Sequence, residues 1–171
     1  MLPTVRRTWA PRGQTPVLHH RTRSHKKVST IGAITISPHR RRCGLYLHWH
    51  PDQNITSEHI VAFLRDLLRH LRGPVIVVWD RLNAHRSRRV HSCLGVYDRL
   101  TLEWFPPYAP ELNPVEYLWS HLKYHRTANH GLFELEDLYD QARHEAEDIA
   151  ANQPLLRSFI RASRLPMGLK K

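Results

Sequence analysis

The stretch that decides the fold is Pro74-Val75-Ile76-Val77-Val78-Trp79-Asp80. This continuous apolar, β-branched run follows a Gly-Pro break and predicts a central strand that is buried on both faces. Asp80 then lies at the carboxyl end of that strand. Ligands of α/β sheets bind beyond the carboxyl ends of the strands, and a charge is costly there unless it reaches a cleft. We therefore treat Asp80 as a candidate site residue.

A second carboxylate, Glu116, lies in the first turn of a predicted helix. Asn113 is a suitable N-cap and Pro114 suits the first helical position, so the helix is expected to begin here. Asn113 and Glu116 also have the spacing of a capping box, in which the acid would serve the helix alone. The proline-rich approach over residues 104–110 favours a site, because it would hold the helix start rigidly against a neighbouring strand end.

Two carboxylates that converge at the end of a sheet can bind a divalent cation. Hard oxygen ligands suit Mg²⁺ or Mn²⁺, and two such ions about 3.5–4 Å apart can activate water and stabilise the leaving oxygen in phosphodiester cleavage. We therefore predict that Asp80 and Glu116 are metal ligands. Sites of this kind normally need more than two acids.

The residues around both acids resemble one family. After Asp80 comes Asn83-Ala84-His85-Arg86-Ser87, and residues 105–119 read FPPYAPELNPVEYLW, followed by Lys123. These features are similar to the second Asp and the Glu of DDE transposases of the IS630 and Tc1/mariner superfamily. The resemblance implies an α/β, ribonuclease-H-like mixed sheet flanked by helices, and DNA transposition by metal-dependent strand cleavage and transfer. It makes Asp80 and Glu116 the catalytic residues, with His85 and Asn113 supporting them.

The resemblance covers roughly residues 1–130, which predicts a catalytic core there and a C-terminal helical extension with a basic tail over 131–171. Residues 6–16 resemble the segment that, in the family, closely follows the first catalytic Asp on the central strand. No acid precedes Asp52, and Asp52 lies in a turn-like Pro-Asp-Gln-Asn sequence. We therefore expect the first Asp and the first central strand to be missing and the chain alone to be inactive. A wrong start, a split reading frame and a decayed gene are open explanations.

The charge of the chain indicates its partner. The 171 residues carry a formal net charge of +11, with a pI near 10.4, and release of counterions makes the phosphate backbone of DNA the expected ligand. In the family this DNA comprises transposon ends and target. An anionic membrane is the alternative, but the basic residues do not line one amphipathic helix, and no apolar run is long enough to span a bilayer.

Two cysteines, Cys43 and Cys93, have no metal-binding spacing. Without a secretory signal they are expected to be reduced thiols in a cytoplasmic protein. The resemblance adds that the protein would be bacterial and associated with the nucleoid.

Several basic residues are candidates for DNA contact. Four arginines follow Asp80 and gather around His85, where they would contact phosphates, and the alternative is an exposed basic helix face. The predicted DNA-binding residues are Arg12, Arg81, Arg86, Arg88, Arg89 and Lys123. His85 would orient a phosphate or a water, although a lone histidine is more often structural.

Two histidine pairs allow a metal interpretation that the sequence does not favour. His48 and His50 lie on one face of the second strand of a predicted hairpin with a basic tip, and the lack of a third ligand nearby favours a polar sheet face. His121 and His125 are four apart on a helix predicted to run from Asn113 to about residue 128. Without an HExxH pattern, an exposed polar face is favoured.

The remaining expectations concern partners and rival functions. An acidic amphipathic helix is predicted from Phe133, Leu135, Leu138, Ala142 and Ala146, and it would pack on the sheet or meet a second subunit in a homodimer. Three functions are open: a transposase catalytic domain, a noncatalytic DNA-binding remnant, and a protein-interaction module that uses residues 107–114 as a polyproline ligand. The last is least favoured, because apolar elements on both sides should lock that stretch into the core.

Overall fold

The computed structural model describes residues 11–14, 27–123 and 135–169 and begins with an antiparallel hairpin. Strand β1 (Val28–Ile36) pairs with β2 (Cys43–Pro51) along its full length. The tip is closed by the Ser37 N–H, which donates to Arg42 O at 2.9 Å, and Arg40 adopts a positive φ of 57°. The predicted hairpin with a basic tip is therefore present.

A helix connects this hairpin to a second pair of strands. Helix α1 (Ser57–His70) begins with a capping box between Thr56 and His59, and strand β3 (Val75–Trp79) follows it. After β3 come helix α2 (Arg88–Leu94) and strand β4 (Leu100–Trp104). Strand β4 is parallel to β3. As a parallel pair requires, a helical crossover joins the two strands.

Three helices and one short turn complete the described chain. A 3-10 turn (Pro110–Leu112) leads into helix α3 (Pro114–His121). Helix α4 (Leu135–Ala151) and helix α5 (Gln153–Ala162) follow. The end predicted for the third helix, near residue 128, lies outside the described residues, and so do His125 and Phe133.

Two apolar clusters hold these elements. The first joins the hairpin to α3, α4 and α5, and its buried members are Cys43, Leu118, Leu122, Ile149, Leu156, Phe159 and Ile160. The second joins α1, α2 and β3 through Ile60, Val61, Leu64, Trp79, Val90 and Cys93. Both cysteines are free and buried, one in each cluster, so no disulfide links them. Burial raises the pKa of the Cys43 thiol, which favours its protonated, unreactive form.

The acidic amphipathic helix packs on the hairpin as the sequence predicts. Leu138, Ala142 and Ala146 of α4 are buried, and Tyr139 meets Trp49 of β2 edge to face, with ring centroids 6.1 Å apart. The next helix, α5, is fixed to the start of β2 by Gln153. Its amide accepts from the Cys43 N–H at 2.9 Å and donates to Cys43 O at 2.7 Å.

Gly32 lets α3 approach the hairpin closely. A Cβ atom at this position would lie 2.8 Å from Leu47 Cδ2 and 2.8 Å from the Trp119 ring. Real carbon atoms do not approach so closely, so only glycine leaves room for Trp119 here. The contact fixes α3, and with it Glu116, against β1.

The structure corrects the prediction that the Asp80 strand is buried on both faces. Ile76 is 67% exposed and Val78 is 44% exposed, whereas the alternate residues Val77 and Trp79 face the second cluster. Helices α1 and α2 cover one face of β3–β4, and within the described residues no helix covers the other. An apolar run alone does not reveal this, because it does not say what packs on each face.

Both kinds of strand pairing expected of the predicted mixed sheet occur among the described residues. The described strands form two separate two-stranded sheets, one antiparallel and one parallel. Their combination with flanking helices nevertheless gives the predicted mixed α/β class. No described helix is long and apolar enough to cross a membrane.

Candidate active site

Asp80 follows β3 directly and is held by two hydrogen bonds to one of its oxygens. Oδ1 accepts from the Leu82 N–H at 3.0 Å and from His85 Nδ1 at 2.8 Å. The side chain is 52% exposed. Asp80 is therefore oriented by its own turn, and its second oxygen keeps the capacity to bind a ligand.

His85 positions this carboxylate. Its ring stacks on Trp79 at a centroid distance of 4.5 Å and an angle of 10°, and its side chain is only 15% exposed. With the ring held in place, a proton on Nδ1 is donated to Asp80. The sequence assigned His85 to a phosphate or a water, whereas the geometry directs Nδ1 to the candidate metal ligand.

Glu116 lies in the first turn of α3, as the sequence predicts. Asn113 is the N-cap, and its Oδ1 accepts from the Val115 N–H at 3.1 Å. The Asn113 N–H donates to Pro110 O at 3.0 Å, so Glu116 is not needed to satisfy it and does not act as the second half of a capping box. Glu116 is also exposed. Its carboxylate is thus available for a role beyond the helix.

The two carboxylates act on each other electrostatically. Although Glu116 is exposed as a residue, the protein around its carboxylate partly desolvates it, which raises the pKa of Glu116. The negative charge of Asp80 raises this pKa further. A backbone bond brings the two elements together, because the Phe105 N–H, on the path from β4 to α3, donates to Trp79 O at 2.9 Å. The two side chains are near enough for the charge of Asp80 to act on Glu116, and their catalytic and metal-binding roles stay predictions.

The donor set suits a hard divalent cation but is small. Paired carboxylates that repel one another gain from a cation between them, and oxygen ligands fit Mg²⁺ or Mn²⁺. Across residues 11–14, 27–123 and 135–169, no three His, Cys, Asp or Glu side chains form a metal-binding group. Asp80 and Glu116 therefore fit such an ion as two of its ligands.

The predicted DNA-binding residues have different surroundings. Arg81 and Arg86 line a cavity of about 380 Å³ next to Asp80. Arg88 is exposed at the start of α2, whereas Arg89 forms an ion pair with Glu58 of α1. Of the two residues outside this cluster, Arg12 is exposed and Lys123 is half-buried.

The cavity contains two residues that the sequence did not suggest. Trp104 and His91 form the rest of its lining. Trp79, which supports His85, was also missed as a site residue. Trp79 and Trp104 are the last residues of two parallel strands and lie opposite each other in the register. An aromatic residue at both strand ends, one of them beside Asp80, was the available signal.

The histidines of β2 line a polar interface with α1, in agreement with the favoured interpretation. His48 Nε2 lies 3.4 Å from Asp66 Oδ2, and the rings of His50 and His59 are 4.2 Å apart. Burial lowers the pKa of His50, and the nearby His59 and His48 lower it further. In the described part of the chain these histidines belong to no group of three possible metal ligands.

Two other surface predictions are wrong. His121 does not form an exposed polar face, because it is half-buried with its ring 5.6 Å from that of Phe159. The proline-rich approach is not locked into the core beyond Phe105. Tyr108 within it is fully exposed and has a positive φ of 59°.

Comparison with known proteins identifies the family. A sequence model described as DDE superfamily endonuclease matches residues 2–139. The chain belongs to this DDE superfamily endonuclease family. The match covers Asp80 and Glu116, so the predicted DDE family is confirmed at this level. No curated protein matches the chain.

Solved structures show which fold this DDE superfamily endonuclease has. It is similar to the Mos1 transposase in a paired-end complex with the left transposon end, with a TM-score of 0.66 and 18% identity over 93% of this chain and 47% of that one. The Mos1 strand transfer complex has a TM-score of 0.66 and 18% sequence identity, over 93% of this chain and 46% of that one. The Mos1 mariner paired-end complex with Mn has a TM-score of 0.65 and 19% sequence identity, over 95% of this chain and 48% of that one. The chain thus spans about half the length of these proteins, and the likeness supports the predicted ribonuclease-H-like fold.

Proposed function

We propose that this DDE superfamily endonuclease cleaves and transfers DNA strands in transposition of the IS630 and Tc1/mariner type. The observation that carries the proposal is the pair Asp80 and Glu116. They come from a strand end and a helix start that are far apart in sequence, yet the charge of Asp80 raises the pKa of Glu116. Phosphodiester cleavage with divalent ions uses carboxylates assembled in this way.

In this proposal Asp80 and Glu116 hold Mg²⁺ or Mn²⁺. When bound, the ion supplies a nucleophile by acidifying water and stabilises charge on the leaving oxygen. His85 keeps the Asp80 carboxylate in one orientation through its bond to Oδ1. Sites of this kind normally hold more than two acids, and we propose that a further carboxylate completes the set of metal ligands.

DNA is the proposed partner, as transposon ends and as target. The +11 charge of the chain supports this assignment. The Mos1 complexes named above include one with a transposon end. We further propose that the chain acts in the cytoplasm, on the nucleoid, and that it forms a homodimer. Within the chain, residues 1–130 are proposed as the catalytic core and 131–171 as an extension that completes its packing.

A noncatalytic DNA-binding remnant is the second candidate function. Its support is that only two acids meet at the candidate site in the described part of the chain. Such a protein would retain the basic surface without turnover.

Nicking of supercoiled DNA in Mn²⁺ distinguishes the two functions. The chain is compared with Asp80→Asn and with Glu116→Gln. Asp98→Asn is the matched control, because Asp98 is exposed and lies just before β4, at the opposite end of the strand pair. Loss of nicking in the first two variants alone supports the transposase, whereas nicking that survives Asp80→Asn contradicts the metal assignment. Salt-dependent DNA binding without nicking in any form supports the remnant.

The DNA assignment has a test of its own. Affinity should fall steeply as salt rises, because each neutralised phosphate releases counterions. If salt up to about 0.3 M leaves the affinity unchanged, phosphate binding is not the basis of the interaction.

A further inference from the structure

Another cavity lies at the end of the β3–β4 pair that is opposite Asp80. It lies between the last turns of α1 and the turn before β4, and the Val75 N–H at the start of β3 donates to Arg99 O at 2.8 Å. Ligand pockets in proteins have volumes of about 300–1,000 Å³. This arginine cavity has a volume of about 330 Å³, which is room for one small group, and its lining is Arg65, Leu68, Arg69, Tyr97 and Arg99.

Arg99 presents a guanidinium that is held in place and still has free donors. Its Nη1 donates to Leu71 O at 2.8 Å and to Gly73 O at 2.9 Å, and its Nη2 donates to Leu68 O. A guanidinium has five N–H groups, so two of them are left after these three bonds. The bonds also satisfy carbonyl oxygens at the end of α1, which weakens the negative field of a helix C-terminus. Arg99 can therefore bind an anion from a fixed position.

Two further arginines reach the cavity from α1. Arg65 and Arg69 are four residues apart and so lie on the same side of the helix. Arg65 is exposed, and within the described residues its guanidinium has no bonded partner. Arg69 donates to Asp66 Oδ1 at 2.8 Å, and its side chain is 77% exposed. Asp98 is the other acid of this region, and it forms no ion pair with a described residue.

The charge of the arginine cavity matches one kind of anion. Its three guanidinium groups and the Asp66 carboxylate carry +3 and −1, which is a net charge of +2. A terminal phosphate group carries about −1.5 to −2 at neutral pH, whereas a phosphate within a DNA strand carries about −1. Guanidinium groups bind phosphate oxygens through paired, charge-assisted hydrogen bonds. The Tyr97 hydroxyl, which has no bonded partner in the described part of the chain, is a further donor.

We propose that the arginine cavity binds a terminal phosphate group between Arg65, Arg69 and Arg99. This group occurs at the end of a free nucleotide and at the end of a 5′-phosphorylated DNA strand, which are the two sources to distinguish. The inference goes beyond the proposed function, because it adds a binding site at the end of the strand pair that is opposite Asp80.

Calorimetric titration of the full chain at constant salt, without divalent metal, tests the inference. Deoxyadenosine monophosphate is compared with deoxyadenosine, and a 5′-phosphorylated single strand is compared with the same strand that ends in a hydroxyl. The monophosphate should bind at least about 10-fold more tightly than the nucleoside, because charge-assisted hydrogen bonds contribute at least this much. An equal advantage of the phosphorylated strand identifies a DNA end as the source, whereas an advantage of the monophosphate alone identifies a free nucleotide.

Variants identify the cavity as the origin of the phosphate preference. Arg65→Ala should remove most of the preference without unfolding the chain, because its side chain is exposed. Arg99→Lys keeps the charge but loses the fork of donors, so it should weaken phosphate binding about 10-fold. Asp66→Asn should act in the opposite direction and tighten binding by up to about fivefold, because it releases Arg69. Arg72→Ala is the control, since it removes an equal charge just after α1 but outside the lining.

Three results would overturn the inference. The first is equal affinity for deoxyadenosine monophosphate and deoxyadenosine, and the second is a preference that survives both Arg65→Ala and Arg99→Lys. The third is an equal loss in Arg72→Ala, which would assign the preference to the general charge of the surface. Asp80→Asn should retain the preference, so the arginine cavity and the candidate active site can fail independently.

Discussion

The two small sheets of this chain differ in how much of their surface is covered. The hairpin has α1 on one face, through contacts such as His48 with Phe63, and α3, α4 and α5 on the other. In the part of the chain that the structure describes, the β3–β4 pair has α1 and α2 on one face and exposes Ile76 and Val78 on the other. Asp80 belongs to this less covered sheet.

Because of this difference, the hairpin contributes more to the stability of the chain, while Asp80 of the candidate site lies on the less stable sheet. Regions with few buried apolar contacts open at a lower free-energy cost than the rest of a fold. Glu116 lies on a helix that is fixed to the well-covered hairpin, whereas Asp80 lies at the end of the less covered β3–β4 pair. In the candidate site, Glu116 is therefore firmly held, whereas Asp80 belongs to a sheet with fewer buried contacts. A further strand or bound DNA packed on that sheet would stabilise it.

Truncation of one apolar residue in each region is the strongest test of the comparison. Leu118→Ala should lower the free energy of unfolding by about 2–5 kcal/mol, because Leu118 of α3 is fully buried in the first cluster. Ile76→Ala should lower it by less than about 1 kcal/mol, because Ile76 is mostly exposed. Urea unfolding measures both. Similar losses would mean that a covering element protects Ile76 in solution.

The contact between Gly32 and Trp119 gives the next largest effect. Gly32→Val should cost about 1–3 kcal/mol, because the new side chain must displace the Trp119 ring. The same displacement moves α3, so Mn²⁺ affinity should fall as well.

Gly95→Ala is the control for Gly32→Val. The nearest atoms that its Cβ meets are carbonyl oxygens at 3.7 Å, so stability should be nearly unchanged. Calorimetric titration and thermal unfolding report the two quantities separately. Full stability and full Mn²⁺ affinity in Gly32→Val would show that α3 is not fixed by this contact.

Variants of His85 test how firmly the Asp80 carboxylate is held in position. His85→Leu should weaken Mn²⁺ binding about 10- to 100-fold, because residues that orient a ligand carboxylate contribute effects of this size. His85→Asn keeps a donor and should recover part of the affinity, while His39→Leu, at the exposed hairpin tip, should leave it unchanged. If His85→Leu binds Mn²⁺ normally, His85 does not position Asp80.

The smallest predicted effect is the loss of stability at low pH that arises from His50, in the interface between β2 and α1. The pKa of His50 is lowered in the folded chain, so the unfolded chain takes up a proton near pH 6.5 that the folded chain resists. The stability that this difference supplies is present above pH 6.5 and is lost as the pH falls through the folded pKa.

The loss can be measured by chemical unfolding between pH 7.5 and 5. The slope that His50 contributes cannot exceed about 1.4 kcal/mol per pH unit. His50→Gln should flatten the profile, whereas His39→Gln should not. His48, His59 and Asp66 lie in the same interface and are unchanged in the variant. An unchanged slope in His50→Gln would assign the acid sensitivity elsewhere.

Local sequence patterns predicted most of the elements and the location of both acids. Asn113 and Pro114 define the start of α3 because capping and the fixed φ of proline are local properties. The apolar run before Asp80 likewise identifies a strand. These signals depend on neighbours in sequence, and the structure has them within a residue or two of their expected positions.

Features that depend on distant partners were not predictable in this way. Ile76 is exposed because no helix among the described residues covers its side of β3, and no property of Ile76 encodes this. The cavity at Trp104 depends on the register of two strands that are separated by α2. His121 packs on Phe159 only because α5 returns to α3.

The two acids also belong to different apolar clusters, and this has a thermodynamic consequence. Glu116 lies on α3, which is built into the first cluster, while Asp80 extends from β3, which is built into the second. An ion bound by both acids would link the element that belongs to the first cluster to the element that belongs to the second. Part of its binding free energy would then appear as resistance of the entire chain to unfolding, and the ion would contribute to the architecture as well as to the chemistry.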